Sequence, residues 1–175
     1  VRSDGYHGGL YDPQGGHFHP LNYALGLADA AEAAGVRIFE QSRVTDVSDG
    51  AEVRVTTVTG SVRARHAILA ADAWMDEIAP DLGRFTIPIM NYNVATTPLP
   101  DADALFPSNA AVADSRFVLN YFRLSADKRL LFGGGEKYVQ TPPADIAAFV
   151  RRHISEVFPH LADVPIDYGW GGAVS

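Results

Sequence analysis

The chain has 175 residues, the length of one domain or two small ones, and its 47% hydrophobic and 20% charged residues exclude wholesale disorder. Its 21 acidic and 14 basic side chains give a formal net charge of -7, which disfavours a nucleic-acid partner. Because there is no cysteine, disulfides, thiolate metal sites and cysteine nucleophiles are excluded. The lack of cysteine fits a reducing compartment, so we expect a cytoplasmic protein, and no apolar run is long enough to span a membrane.

The first predicted helix follows a turn-rich segment that contains residues 8–20. Pro20 suits the first helical position, where a missing N–H costs nothing, and Gly35 supplies the C-terminal stop. Apolar residues recur at helical spacing between them, namely Leu21, Ala24, Leu25, Ala28 and Ala31. This pattern predicts an amphipathic helix.

Short strands are predicted after this helix. Residues 36–39 and 43–47 have strand character, and residues 52–58 and 61–70 form a hairpin around Thr59-Gly60. The end of the second hairpin strand, residues 67–71, is continuously apolar, which predicts that it runs into a buried strand.

The second half of the chain predicts an antiparallel sheet with a covering helix. Its strand candidates are residues 87–97, 112–124 and 129–133, followed by a last short strand at 166–168. For the helix, Thr141 is the expected cap and Pro142 the first residue. Apolar side chains then recur at helical spacing at Ile146, Phe149, Val150, Ile154, Val157 and Phe158.

His17 and His19 would share one face of an extended segment, as two metal ligands could. A metal site needs a third or fourth ligand, none is obvious nearby, and we therefore expect no metal. Three serines are possible nucleophiles, but none lies in a Gly-x-Ser-x-Gly elbow: Ser3, Ser42 and Ser115. A hydrolase or metal enzyme built on the histidine pair stays an alternative hypothesis.

Tyr121 and Arg123 would share one face of a strand. A guanidinium beside a phenol hydroxyl donor can bind a substrate carboxylate, although such a pair can also be a solvent-facing polar pair. Asn91, Tyr92 and Asn93 are similar: they could line a cavity, but such residues more often belong to an edge strand. The run 133–135 consists of glycine and lacks the Gly-Lys-Ser/Thr of a phosphate loop, which indicates a strand end that another backbone or a flat ligand approaches closely.

Several motifs in fixed order resemble one known family. They are Gly16-His17-Phe18-His19-Pro20-Leu21, Ala67-Ile68-Leu69-Ala70-Ala71-Asp72-Ala73-Trp74, Asn120-Tyr121-Phe122-Arg123-Leu124-Ser125-Ala126-Asp127, Arg129-Leu130-Leu131-Phe132-Gly133-Gly134-Gly135 and Tyr168-Gly169-Trp170-Gly171-Gly172. This order resembles the D-amino-acid-oxidase-like family of FAD-dependent oxidoreductases. The Gly-His-x-His-Pro loop and the Tyr-Phe-Arg-Leu-Ser pattern are most similar to its γ-glutamylputrescine oxidase-type amine oxidoreductases.

The resemblance implies FAD as cofactor and an amine or amino acid as substrate. The implied catalytic and substrate-side residues are His17, Tyr121 and Arg123. The implied cofactor-binding residues are Gly15, Gly16, His17, Arg43, Val44, Ala70, Ala71, Trp74, Trp170 and Gly171. The implied reaction oxidises a C–N bond by hydride transfer to the flavin, and water then hydrolyses the imine. The alternative is a small-molecule binding module that has lost the flavin.

The resemblance also implies a mixed α+β fold. Residues 1–79 would form the middle of an FAD-binding domain, residues 80–165 an antiparallel substrate-binding sheet with its helix, and residues 166–175 a return toward the FAD domain. The family's Gly-x-Gly-x-x-Gly phosphate loop does not occur in this sequence. We therefore expect an internal piece of a longer enzyme that is inactive on its own, and the sequence does not indicate an oligomeric state.

Overall fold

The computed structural model describes all of residues 1–175. They form two compact units: a hairpin unit of residues 20–88 and 174–175, and a sheet unit of residues 1–19 and 89–173. The expected division into FAD-binding and substrate-binding parts stays a prediction, because it concerns the roles of these parts in the complete protein.

The hairpin unit begins with a helix whose two ends are set by its sequence. Its elements are α1 (Pro20–Ala33), β1 (Val44–Ser48), β2 (Val53–Thr57), β3 (Ser61–Ala64), a 3-10 turn (Asp72–Trp74), α2 (Met75–Ile78) and α3 (Pro80–Gly83). As predicted, α1 starts at Pro20, and the chain leaves it through Gly35 at a φ of 89°. That left-handed conformation carries little cost for glycine, so the helix ends there.

The three strands pair in the order β1-β2-β3, and both pairings are antiparallel. The turn between β2 and β3 is closed by the Thr57 amide, which donates to the Gly60 carbonyl at 2.8 Å. The hairpin around Thr59-Gly60 is therefore confirmed.

Two predicted strands of this unit are wrong. Residues 36–39 lie in an irregular segment, and β3 ends at Ala64 instead of continuing through 67–71. Ile68, expected in a buried strand, is 92% exposed. The physical reason is that a strand is made by its hydrogen-bonded neighbour, and no other strand of this chain lies beside either segment.

The sheet unit contains five strands in the order β5-β6-β7-β4-β8. Its elements are β4 (Ile89–Pro98), α4 (Ala102–Leu105), β5 (Val112–Ala113), β6 (Tyr121–Leu124), β7 (Arg129–Lys137), α5 (Ile146–Val157), a 3-10 turn (Pro159–Leu161) and β8 (Ile166–Val174). The β5/β6, β6/β7 and β4/β7 pairs are antiparallel. The predicted α+β fold with an antiparallel sheet is confirmed, although β7 and β8 are longer than expected and residues 114–120 interrupt the predicted strand 112–124.

One face of the sheet is the core of this unit. Alternate residues of β4, β6 and β7 point to it and pack against α5, and the fully buried members are Tyr92, Val94, Leu130, Phe132, Val150, Ile154, Val157 and Phe158. The rings of Phe122 and Phe132 stack at 5.3 Å across the strands. Each such side chain contributes roughly 1.5–3 kcal/mol by burial, so this face fixes the strand register.

The covering helix starts later than predicted. Asp145, not Thr141, caps α5, since its carboxylate accepts from the Ala148 amide at 2.9 Å. Pro142 is followed by a second proline, which disfavours helical backbone at Pro142. The first residue free to cap with a carboxylate is then Asp145.

The N-terminal segment packs on the sheet unit through polar contacts. The Arg2 amide donates to the Leu105 carbonyl at 3.0 Å, and the Tyr6 hydroxyl donates to Asp114 Oδ2 at 3.1 Å. Farther along, His17 Nε2 lies 2.8 Å from the Asn109 carbonyl oxygen. These contacts bring the Gly16-His17 loop beside the sheet.

Candidate functional site

Opposite α5, the sheet presents a polar face, defined by Asn91, Asn93, Tyr121, Arg123 and Glu136. Strand alternation explains this division, because the neighbours of these residues on β4 and β6 point into the core. Tyr121 and Asn93 both lie opposite Gly133 of the central strand β7. The side chains of Tyr121 and Asn93 therefore flank the backbone of Gly133 from the two neighbouring strands.

Gly133 makes room for the phenol ring of Tyr121. A Cβ atom at position 133 would overlap the Tyr121 ring and hydroxyl. The sequence predicted a strand end that another backbone or a flat ligand approaches. That prediction is wrong for Gly133, because the glycine run lies inside β7 and the approaching group is a side chain of the neighbouring strand.

The Tyr121 hydroxyl is held by the two asparagines of β4. It donates to Asn91 Oδ1, which also accepts from Asn93 Nδ2 at 3.1 Å. Burial raises the pKa of Tyr121, the neighbouring amides oppose that shift, and the negative charge of Glu136 adds to it. The phenol thus keeps its proton and directs it to Asn91.

Arg123 extends over the polar face without a carboxylate partner. Its NH1 lies 3.3 Å from the Leu124 carbonyl oxygen and 3.5 Å from His17 Nδ1. In contrast, Arg116 and Arg129 of the same unit both form salt bridges. Partial burial lowers the pKa of Arg123, which is the direction expected for a cation that lacks an acidic neighbour.

His17 is oriented by the Asn109 carbonyl. A carbonyl only accepts, so Nε2 carries a proton in that hydrogen bond, and Nδ1 of the neutral ring faces Arg123 as an acceptor. The three residues expected from the sequence to be catalytic or substrate-facing are thus placed together. Their role stays a prediction.

Part of the expected cofactor set lies together in the hairpin unit. Arg43, Val44 and Trp74 line a depression of about 340 Å³, whose other walls are Glu77 and Ile78. Arg43 forms an exposed salt bridge of 2.5 Å with Glu77, and the Trp74 side chain is 55% exposed. A guanidinium, an indole and a strand backbone are thereby presented on one surface.

The other expected cofactor residues do not line this depression. Ala70 is exposed and Ala71 partly buried, just before the 3-10 turn of the hairpin unit. In the sheet unit, Gly15 and Gly16 lie in an exposed loop, and Trp170 and Gly171 lie in β8. Another depression, of about 390 Å³, lies along the exposed side of α5 and hence across the sheet from the polar face.

No group of three or more His, Cys, Asp or Glu side chains is placed to hold a metal ion. The Ser3 hydroxyl donates to the Val157 carbonyl, and the Ser42 hydroxyl to the Glu40 carbonyl at 3.0 Å. No helix has the length and apolar character needed to cross a lipid bilayer.

Two residues of this site were not found from the sequence. Asn109 acts through its backbone carbonyl, so no side-chain pattern could indicate it. Glu136 follows the glycine run, and strict strand alternation from Gly133 would have put it on the core face. The only available signal was the glycine run itself, since glycines inside a strand often mark a bulge.

Comparison with known proteins identifies the class. Residues 1–175 match the FAD dependent oxidoreductase (DAO) family, and the chain belongs to it. This confirms the resemblance found in the sequence.

Particular relatives agree with this class. The chain is 39% identical over 173 residues to the probable oxidoreductase OrdL of Rhizobium meliloti and 40% identical over 175 residues to gamma-glutamylputrescine oxidoreductase of Escherichia coli. Both matches cover 98% of this chain, but only 40% and 41% of those proteins. The chain thus spans about two fifths of the length of these relatives.

Solved structures show the same fold. Glycine oxidase from Geobacillus kaustophilus superposes with a TM-score of 0.68 at 21% identity, over 86% of this chain and 40% of that one. L-proline dehydrogenase from P. horikoshii superposes with a TM-score of 0.69 at 21% identity, over 88% of this chain and 43% of that one. The chain therefore shares its arrangement of helices and strands with parts of these two structures.

Proposed function

We propose that the complete protein containing this chain oxidises a C–N bond of an amine or amino acid, with FAD as the two-electron acceptor. The product is an imine, which water hydrolyses to a carbonyl compound and ammonia or an amine. Membership of the FAD-dependent oxidoreductase family supports the redox class. The gamma-glutamylputrescine oxidoreductase at 40% identity supports an amine that carries a carboxylate elsewhere.

The observation that carries the substrate side of this proposal is the unpaired guanidinium of Arg123 on the polar face. A planar fork of donors without an acidic partner is suited to a carboxylate, which it can bind through two hydrogen bonds. The sequence suggested that the Tyr121 hydroxyl would also donate to that carboxylate. Its proton is instead donated to Asn91, so the phenol oxygen offers lone pairs to a ligand.

His17 has a role beside this guanidinium. Its Nδ1 lies 3.5 Å from Arg123 NH1, where it can accept a hydrogen bond and help to orient that guanidinium. We assign it to positioning and proton handling next to the substrate.

The residues of the hairpin unit fit the adenine end of FAD. Arg43 can pair with phosphate or ribose oxygens, Trp74 offers a flat apolar surface, and the backbone of Val44 supplies strand donors and acceptors. The exposed glycines at 15 and 16 let a flat group approach the backbone beside His17. When bound, FAD supplies the redox chemistry, while this chain binds and orients the substrate. A cytoplasmic location stays a prediction.

The test uses the complete flavin-containing protein under anaerobic conditions. Amines and amino acids are mixed with it, and bleaching of the oxidised flavin is followed. We expect Arg123→Met to raise the KM of carboxylate-bearing substrates roughly 10- to 100-fold, the effect of losing a charge-assisted hydrogen bond. Amines without a carboxylate should change less.

Arg152→Met is the matched control, because Arg152 is exposed on α5, on the other side of the sheet. It should leave the KM unchanged for substrates with and without a carboxylate. If no amine bleaches the flavin of the unmodified protein, the proposed oxidation is wrong and a binding module is favoured. If Arg123→Met has the same effect as Arg152→Met, the carboxylate assignment is wrong.

A further inference from the structure

The central strand β7 contains a bulge directly after Gly133. Asn93 pairs with Gly133, and Asn91 pairs with Glu136, so two steps along β4 correspond to three steps along β7. One extra residue is therefore inserted into β7 between these pairs. Beyond the bulge, each side chain points to the opposite face from the one that simple alternation gives.

The bulge places Glu136 on the polar face. Residues directly opposite one another in an antiparallel pair project to the same side of the sheet, and Asn91 belongs to the polar face. Gly135 adopts a φ of 79° in this segment, and a Cβ there would approach Phe149 Cε1 to 2.7 Å. A glycine is thus required at the point where the chain turns Glu136 away from α5.

Glu136 has no partner of opposite charge. It is half-buried, forms neither a salt bridge nor a side-chain hydrogen bond, and is near enough to Tyr121 for its charge to affect the phenol. Burial raises the pKa of the Glu136 carboxyl, as expected where nothing compensates the lost hydration. An approaching cation would reverse this effect and favour the carboxylate.

The remaining acceptors at this end of the polar face match a cation. Asn91 Oδ1 already accepts two hydrogen bonds, and the Tyr121 oxygen, which donates its proton to Asn91 and has Asn93 beside it, keeps a lone pair for a further donor. A carboxylate and a phenol oxygen together form a suitable environment for an ammonium group, which only donates.

The two unpaired charges lie at opposite ends of the polar face. Arg123 lies opposite Leu131, which pairs with Ala95, whereas Glu136 pairs with Asn91. Ala95 and Asn91, which mark these two levels, are four positions apart on β4, which corresponds to roughly 13 Å along the strand backbone. This separation of the two backbone levels favours a ligand whose charged groups are several bonds apart over an α-amino acid, whose amino and carboxyl groups share one carbon.

We propose that Glu136 binds a protonated amine of the substrate, and that the polar face accepts an elongated zwitterion with its carboxylate at Arg123 and its ammonium group at Glu136. The identification of this ligand as a substrate rests on the proposed function. The geometry narrows the substrate class from amines in general to amines whose charged groups are several bonds apart.

The test compares two ligands of the complete protein by titration calorimetry. 6-Aminohexanoate carries both charges, and hexanoate lacks only the ammonium group. We expect Glu136→Gln to weaken the binding of 6-aminohexanoate roughly 10- to 100-fold and to leave hexanoate unchanged. Unchanged hexanoate binding also shows that the variant is folded.

Asp163→Asn is the matched control, because it removes an exposed carboxylate of the same unit. It should change the affinity of neither ligand, and Glu136→Asp should restore part of the lost affinity. The proposal is overturned if Glu136→Gln affects both ligands equally or neither, or if the unmodified protein does not prefer 6-aminohexanoate. Calorimetry does not require turnover, so these results are independent of the flavin-bleaching test of the proposed oxidation.

Discussion

Replacing Gly135 by alanine tests the bulge of β7, on which the position of Glu136 depends. The backbone at this position has a φ of 79°, a conformation that costs a residue with a side chain about 1–2 kcal/mol. The new Cβ would also lie 2.7 Å from Phe149 Cε1 and 2.9 Å from His153 Nε2, and such overpacking costs about 1–3 kcal/mol. These two effects together should lower the local free energy of unfolding of Gly135→Ala by about 2–5 kcal/mol.

Native-state hydrogen exchange of the complete protein measures this loss where it occurs. Amides of β7 and α5 should exchange at least about 30-fold faster in Gly135→Ala, since each 1.4 kcal/mol corresponds to a factor of ten. Gly172→Ala is the control, because a Cβ at 172 meets no atom within 4 Å and no positive φ occurs there. The local free energy of unfolding of Gly172→Ala should stay within about 1 kcal/mol of that of the unmodified protein. Equal protection in the two variants would refute the reasoning about the bulge.

Two further predictions concern stability. Asp145→Ala should remove the cap of α5 and cost about 1 kcal/mol, seen as faster exchange in the first turn of the helix, whereas Thr141→Ala should have no such effect. Burial raises the pKa of Tyr6 from 10.0 to about 12, so its contribution to stability is complete below pH 10 and is lost as the pH rises to about 12. Denaturant titrations should show that decline in the unmodified protein and a smaller one in Tyr6→Phe.

Local chemistry made part of the fold predictable. The helix α1 and the β2–β3 hairpin depend on a proline, two glycines and a run of alternating residues, all of which act within a few positions. The strands expected at 36–39 and 67–71 failed because a strand depends on its neighbour, which local sequence does not specify. Thr141 failed as a cap because Asp145 competes for the same role four residues later.

The candidate site shows the same limit. Tyr121 and Arg123 could be assigned to one face from the sequence, because β6 is regular and alternation applies. Glu136 could not be assigned, because a single bulge reverses the alternation between it and Gly133. His17 could be named from its motif, but its contact with Arg123 joins residues 106 positions apart and depends on the packing of the N-terminal segment.

The unpaired charges of Arg123 and Glu136 have a consequence for stability. The chain has 21 acidic and 14 basic side chains, yet these two half-buried groups have no partner of opposite charge and lie too far apart in register to pair with each other. Burying a charge without a partner costs free energy, so each group should destabilise the ligand-free protein. Arg123→Met and Glu136→Gln should therefore raise the melting temperature without ligand while weakening ligand binding, as is common for residues kept for function. Lower melting temperatures in both variants would instead show that the two side chains support the fold, and would weaken their assignment to the ligand.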